Sequence, residues 1–148
     1  MTKCHRAIWR TCWGLGALGL LLVIAPVALA GNFEVIVSKT VPVASVSKAD
    51  LRAIFLGEKV KWDNSRYIKV VVPEDSELFK EFLQTVVGKT PMQFDKHWQN
   101  LVFTGKAAMP RSIADTAQLV DFVAGHPGTI GVVPAGKAGS SVKTISIK

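Results

Sequence analysis

The stretch that decides the fold is Ser47–Trp62, which reads S-K-A-D-L-R-A-I-F-L-G-E-K-V-K-W. Ser47 stands three residues before Asp50, a spacing typical of a helix N-cap and an acidic residue in the first turn that pairs with it. Apolar residues recur at helical spacing after this cap, at Leu51, Ile54 and Phe55. Gly57 then supplies the residue type at which helices commonly end. The pattern predicts a short amphipathic helix over Lys48–Leu56, followed by a basic turn that leads to a tryptophan.

Strand and helix patterns alternate on both sides of this helix. Runs rich in β-branched residues predict four strands, which are Phe33–Ser38, Tyr67–Val72, Thr129–Val133 and Val142–Ile147. Helical spacing of apolar residues predicts helices over Ser76–Val87 and Ser112–Ala124. Between these two, Thr90 caps a helix whose first residue is Pro91, and a loop follows over Thr104–Pro110. This order predicts one α/β domain in which helices flank a central sheet.

The first thirty residues have the pattern of a secretory signal peptide. Basic residues come first, an apolar stretch follows over Trp13–Ile24, and small Ala28 and Ala30 stand just before Gly31, as signal peptidase prefers. A retained membrane anchor is the alternative, but the apolar run is shorter than the roughly 20 residues that a spanning helix needs. We therefore expect export to the periplasm, with residues 1–30 as the signal peptide and residues 31–148 as the folded domain.

Composition argues against several kinds of protein. Both cysteines, Cys4 and Cys12, lie in the first thirty residues, so residues 31–148 can form neither a disulfide nor a thiolate site. The chain has 18 Lys and Arg and 11 Asp and Glu; three of the basic residues and none of the acidic ones lie in the first thirty, so the rest carries +4. These charges alternate along the chain and no aromatic residues interleave a basic stripe, which argues against nucleic acid as a partner. The mild positive balance is compatible with an anionic solute or surface.

The stretch Ser47–Trp62, with its glycine-stopped I-F-L-G and trailing K-x-W, is similar to a segment of bacterial periplasmic phosphate-binding proteins of the PstS type. In that family the segment enters the second lobe. Three further stretches extend the resemblance in the family's order, namely Ile68–Ser76, Phe79–Trp98 and Ala114–Val133. Family members clamp an anion between two lobes. Because this chain has room for one lobe, the resemblance implies a fold like one domain of a type II periplasmic binding protein.

The resemblance places the family's ligand loop at the end of Ile68–Ser76, and here the chain departs from the family's pattern. Val72 or Pro73 stands where the family has an arginine that grips phosphate through two hydrogen bonds. The family's glycine pair is absent as well. Lys106 and Arg111, which flank the predicted loop, could supply the missing positive charge or could be solvated surface cations.

The resemblance implies four ligand contacts, at Asp75, Ser76, Glu77 and Leu78. Ser76 and the backbone amides of Glu77 and Leu78 would donate hydrogen bonds to phosphate or another small oxyanion, and Asp75 would shape the loop. The alternative is that Ser76 or Asp75 is only a helix cap. Acidic residues crowd this helix start and would repel a phosphate dianion at close range, so we expect binding to be weak.

No other group of residues predicts a reactive site. His97 lies on a predicted helix and His126 in a turn, with no third ligand at a usable spacing, so we expect neither a metal nor another cofactor. The chain has no G-x-S-x-G nucleophile turn, and we expect no enzymatic activity. Trp62 and Trp98 are expected to pack in the core or at a hinge.

Two functions remain after these exclusions. The first is a solute-binding component for phosphate or a similar oxyanion, linked to an ABC permease. The alternative is a non-catalytic envelope module, a binding-protein lobe that has lost ligand capture and docks on an envelope protein or on itself. This alternative predicts an apolar surface where the absent lobe would pack.

Overall fold

The computed structural model describes residues 31–74 and 76–148, whose strands form one six-stranded sheet. The strands are β1 Phe33–Val37, β2 Ser45–Val46, β3 Lys69–Pro73, β4 Arg111–Ile113, β5 Thr129–Pro134 and β6 Lys143–Ile147. The helices are α1 Lys48–Phe55, α2 Glu77–Phe82, α3 Pro91–Phe103 and α4 Thr116–Gly125, and α2 continues into a π-helical turn over Leu83–Val87. The predicted α/β class is confirmed. The predicted signal peptide and Asp75 lie outside the described residues.

The sheet has the order β2-β6-β1-β5-β3-β4. Strand β3 runs parallel to both β4 and β5, whereas β1 runs antiparallel to β5 and β6. The parallel strands therefore end together at Pro73, Ile113 and Pro134, which mark what we call the carboxyl edge of the sheet. The opposite end of the same strands is the amino edge. In open α/β sheets, ligands bind outside the carboxyl ends of the strands.

Apolar side chains pack on both faces of the sheet. On one face a large cluster joins β1 and β5 to α1, α2 and α3. On the other face a smaller cluster joins the sheet to α4. Because successive residues of a strand point to opposite faces, Val35 and Val37 belong to the first cluster and Ile36 to the second. This burial on two sides is what the β-branched runs of the sequence predict.

Local capping chemistry begins α1 and α3 at the predicted residues and ends α1 at the predicted glycine. The Ser47 hydroxyl accepts a hydrogen bond from the Asp50 amide at 3.0 Å. Gly57 adopts a φ of 71°, the left-handed conformation that ends a helix and that residues with a side chain rarely adopt. Thr90 and Gln93 form a reciprocal capping box at the start of α3, with Pro91 as the first helical residue.

The prediction that Ser112–Ala124 is one helix is wrong at its beginning. Arg111–Ile113 form β4 beside β3, and the Glu74 amide donates to the Ile113 carbonyl at 3.1 Å. Helix α4 starts only at Thr116, after Asp115 accepts from the Gln118 amide. Apolar spacing alone does not distinguish three residues of an edge strand from the first turn of a helix.

Two further expectations about the sheet need correction. The two-residue strand β2, which pairs with β6, was not predicted. The strand predicted to end at Val72 includes Pro73, whose lack of an N–H is accommodated because β5 pairs with β3 only at Lys69 and Val70.

Candidate functional site

Ser76 stands at the start of α2, just beyond the carboxyl end of β3, as the resemblance implied. Its backbone is extended, with φ −106° and ψ 137°, and its hydroxyl oxygen accepts a hydrogen bond from the Phe79 amide at 3.1 Å. Ser76 is thus an N-cap, the structural alternative stated for this residue. A hydroxyl group also carries one hydrogen, and the Ser76 hydroxyl donates to no acceptor within residues 31–74 and 76–148.

The amides of Glu77 and Leu78 are the first two of the helix. Amides in the first turn have no acceptor within their own helix, and neither of these two has one elsewhere in the described part of the chain. The Glu77 side chain is exposed and accepts from the Lys80 ammonium at 3.3 Å, while the Leu78 side chain packs against the large apolar cluster. Three hydrogen-bond donors therefore lie at consecutive residues beside the carboxyl edge.

The charge around Ser76 comes from acidic residues more than from basic ones. Glu74 and Glu77 are both exposed at the carboxyl edge, and the nearest cation along the helix is Lys80. Lys106 and Arg111 line a different cavity, whose lining does not include Ser76. Arg111 pairs in register with Val71, the middle residue of β3. An anion bound at Ser76 would depend on neutral donors.

A cavity lies at the carboxyl edge, at the start of α4. Its volume is about 420 Å³, and its lining includes Asp115, Asp121 and Lys137 together with Pro134. The Asp115 carboxylate already accepts from the Gln118 amide as an N-cap. The sequence did not single out this cavity, because its walls come from α4 and from the end of β5.

Lys106 and Arg111 lie with Lys59 and Lys69 around another cavity, of about 490 Å³, at the amino edge. We call this cavity the basic groove. No carboxylate lines it in the described part of the chain. Sequence reasoning missed the basic groove because its cations are single residues on separate segments. The signal available was the run of basic residues after Gly57, which was interpreted only as a turn.

Both tryptophans predicted to pack in the core are buried, and each indole N–H has a carbonyl acceptor. Trp62 donates to Gly128 at 2.9 Å, and Trp98 donates to Phe55 at 3.0 Å. These bonds connect segments that are far apart in the chain. Buried indoles need such acceptors because an unpaired N–H costs free energy in the core.

The two histidines of the described residues, His97 and His126, donate to backbone carbonyls. His97 Nε2 donates to the Leu56 carbonyl at 2.8 Å, and His126 Nδ1 donates to the Phe122 carbonyl at 2.8 Å. Each bond sets the tautomer, since a carbonyl can only accept. In residues 31–74 and 76–148, no group of three or more His, Cys, Asp and Glu side chains is arranged to hold a metal ion. No helix among these residues is both long and apolar enough to span a bilayer.

Among the described residues, Asp50 has a carboxyl group whose pKa is shifted. The Ser47 hydroxyl donates to the Asp50 carboxylate at 2.6 Å and lowers the pKa of Asp50, and the Lys59 ammonium, at 3.1 Å, acts in the same direction. Both interactions favour the ionised form. Lys59, which also lines the basic groove, is therefore partly neutralised.

Comparison with known proteins identifies the fold. No protein-family model and no curated protein matches the sequence. An ABC-type phosphate transport receptor from Vibrio cholerae matches in structure with a TM-score of 0.60 and 17% identity, over 78% of this chain and 46% of that chain. A putative phosphate ABC transporter substrate-binding protein from Clostridium perfringens, solved with bound phosphate, matches with a TM-score of 0.62 and 18% identity, over 78% and 44%. PstS from Borrelia burgdorferi matches with a TM-score of 0.60 and 15% identity, over 79% and 47%.

This chain spans less than half the length of each of these receptors. The match covers most of the described residues, and it agrees with the expectation of a single lobe. The resemblance to phosphate-binding proteins that the sequence indicated is confirmed: the chain has the fold of part of a PstS-like phosphate receptor of ABC transporters.

Proposed function

We propose that this protein is an exported, non-catalytic binding protein that holds phosphate or another small oxyanion at the carboxyl edge of its sheet. One observation carries the proposal: the Ser76 hydroxyl and the Glu77 and Leu78 amides have no acceptor among the described residues, and they lie where open α/β sheets bind ligands. The fold supports it, because one of the matching receptors was solved with bound phosphate.

Each contact has a defined part in this proposal. The Ser76 hydroxyl would donate through its hydrogen while its oxygen continues to cap α2, and the Glu77 and Leu78 amides would donate along the helix axis. Asp75 would shape the loop between β3 and α2. Binding would be weak, because no arginine is present to form two charge-assisted bonds and Glu74 and Glu77 repel an anion. A partner in transport would be an ABC permease.

Titration of the purified protein with phosphate, followed by heat or by tryptophan fluorescence, tests the proposal. We expect a saturable response in the wild type that Ser76→Gly weakens, because glycine is tolerated as an N-cap but carries no hydroxyl. Ser47→Gly is the matched control, since it changes the same residue type at another helix start. The absence of a saturable response to millimolar phosphate in the wild type would remove the proposal.

Export is tested separately. We propose that residues 1–30 are removed as a signal peptide and that residues 31–148 act in the periplasm. Mass spectrometry of protein recovered from the periplasmic fraction should find an N-terminus at Gly31. Recovery of the intact N-terminus in the membrane fraction would support the retained anchor instead.

Exposed apolar side chains at the end of α3 favour a second candidate, the interaction module. Phe103 and the adjacent Val102 have exposed fractions of 91% and 45%, and Met92, on the same side of α3 as Phe103, is 80% exposed. Adjacent exposed apolar side chains of this size are typical of contact surfaces.

Light scattering on a sizing column distinguishes this candidate. A docking module that self-associates should form a dimer that Phe103→Ser converts to a monomer, while Phe103→Leu retains it. A strictly monomeric wild type at high protein concentration would exclude self-association.

A further inference from the structure

The basic groove lies around the first residues of β3 and β4, toward the amino edge, and Ser76 is not among the residues that line it. Residues 57–71 form one wall and residues 106–111 form the other. Its volume of about 490 Å³ is within the range of ligand pockets in proteins, about 300–1,000 Å³. Neither the expected anion contacts nor the proposed function uses this cavity.

Most of the positive charge of the basic groove is not balanced by a carboxylate in the described part of the chain. Four cations line it, and only Lys59 forms an ion pair in the described part of the chain, with Asp50 at 3.1 Å. Lys69, Lys106 and Arg111 are exposed and take part in none of the ion pairs found there. Several unpaired cations around one cavity attract an anion and raise its local concentration.

Arg111 is held in place by an aromatic stack. Its guanidinium lies over the Phe122 ring, 4.8 Å from the ring centroid, and the His126 imidazole stacks on the same ring at 3.8 Å. Since the imidazole covers one face of the ring, the guanidinium lies against the other. This arrangement leaves the N–H groups of the guanidinium for a partner and reduces the entropy lost when they bind one.

The inner surface of the basic groove is apolar. Ile54 and Trp98 contribute buried side chains, and Ile68, Val70 and Phe122 contribute partly buried ones. An inorganic anion would leave this surface in contact with water. An occupant that uses both the cations and the apolar wall has an acidic group attached to an apolar body.

We propose that the basic groove binds a small amphiphilic anion, a carboxylate or sulfonate on a short alkyl or aryl body. The acidic group is held by Lys106 and Arg111, and the apolar body lies against the partly buried side chains of Ile68 and Val70. The concave shape favours a single small molecule over a flat membrane surface. This site is independent of the anion contacts at Ser76.

Calorimetric titration of the full purified protein with decanoate, below its micelle concentration, tests the proposal. Acetate has the acidic group without the tail, and decyltrimethylammonium has the tail with the opposite charge. We expect saturable heat with decanoate and none with the other two. The double variant Lys106→Gln/Arg111→Gln should bind decanoate at least about tenfold more weakly, because it removes both charged donors to the carboxylate.

Two controls separate binding from general effects. Lys96→Gln/Lys137→Gln removes the same charge from exposed residues outside the basic groove and should leave decanoate binding unchanged. Ala108→Trp places a large side chain in the basic groove at an exposed loop residue and should weaken binding without changing charge. Thermal unfolding of each variant verifies that it is folded.

Three outcomes would overturn the proposal. The first is equal affinity of decanoate for the two double variants. The second is decyltrimethylammonium binding as tightly as decanoate. The third is binding to vesicles of anionic phospholipid, lost in Lys106→Gln/Arg111→Gln, without binding of decanoate, which would identify a membrane contact instead. Phosphate titration of the same variants should not change, so failure here is distinguishable from failure at Ser76.

Discussion

The starts of α1 and α2 use the same residue type for different outcomes. At α1 the Ser47 hydroxyl both accepts from the Asp50 amide and donates to the Asp50 carboxylate, which Lys59 contacts in turn. At α2 the Ser76 hydroxyl accepts from the Phe79 amide and donates to no acceptor among the described residues. The first serine belongs to a closed network, whereas the second has an unused donor in that part of the chain. The difference shows that an N-cap motif identifies a helix start but does not by itself identify a binding residue.

The largest expected effect is on the free energy of unfolding, and it tests whether α1 and α2 pack in one apolar core. Phe82 of α2 is fully buried and contacts three rings, those of Phe33, Phe55 and Phe79. Since Phe55 belongs to α1, Phe82 joins the two helices. Phe82→Ala should lower the free energy of unfolding by about 3–5 kcal/mol, measured by urea denaturation.

Phe103→Ala is the matched control for this substitution, because Phe103 is 91% exposed. It should change the free energy of unfolding by less than about 0.5 kcal/mol. Similar losses for the two variants would show that α1 and α2 do not share a core.

The next effect concerns the end of α1. The buried indole of Trp98 donates to the Phe55 carbonyl in the last turn of α1. Trp98→Phe keeps an aromatic ring but leaves this carbonyl without its donor, which should cost about 1–3 kcal/mol of unfolding free energy. Urea denaturation followed by circular dichroism measures this loss of unfolding free energy. Stability equal to the wild type would mean that another group satisfies the carbonyl.

Removing each serine cap tests the difference between the two helix starts directly. Ser47→Ala removes two hydrogen bonds and Ser76→Ala removes one, so we expect losses toward the upper and lower ends of the range for N-caps, about 0.5–2 kcal/mol. Urea denaturation of the two variants under identical conditions gives the order. A greater loss for Ser76→Ala would show that the Ser76 hydroxyl makes structural contacts beyond its cap.

The smallest effect is a pH dependence at α1. The Ser47 hydroxyl, and then Lys59, hold the pKa of Asp50 below its ordinary value of 3.8. Because the folded pKa is lower than the unfolded one, this interaction stabilises the protein fully above the ordinary value and is lost as pH falls through the folded pKa. The effect is small, since the Asp50 side chain is 46% exposed.

Carbon-detected NMR titration of the Asp50 carboxyl measures this pKa directly. Ser47→Ala should raise the pKa toward its ordinary value. A wild-type pKa at or above that value would contradict the closed network at α1. No comparable dependence is expected to arise from Ser76, which does not ionise.

The helices that were predicted most closely have their boundaries encoded within a few residues. Ser47 with Asp50 and Thr90 with Gln93 are contacts three residues apart, so the sequence shows both partners side by side. The strands are also indicated by their β-branched runs. The prediction failed at β4, where the backbone of Arg111–Ile113 is ordered by pairing with β3, a partner distant in the chain.

The candidate sites show the same difference between features formed within one segment and features formed by distant segments. The sequence and its resemblance pointed to Ser76, Glu77 and Leu78, because a helix start is a local feature. The basic groove was not predicted, since it exists only where residues 57–71 and 106–111 face each other. The sequence left the surroundings of Arg111 open for the same reason.

The sequence by itself determined where α1, α2 and α3 begin, which residues face the core, and that the chain resembles one lobe of a phosphate-binding protein. The first two properties depend on hydrogen bonds and apolar spacing within single turns of helix or single strands. Only the tertiary structure decided that β4 is a strand and that Arg111 shares one cavity with Lys59, Lys69 and Lys106. Those properties depend on pairing between distant segments, which no local pattern specifies.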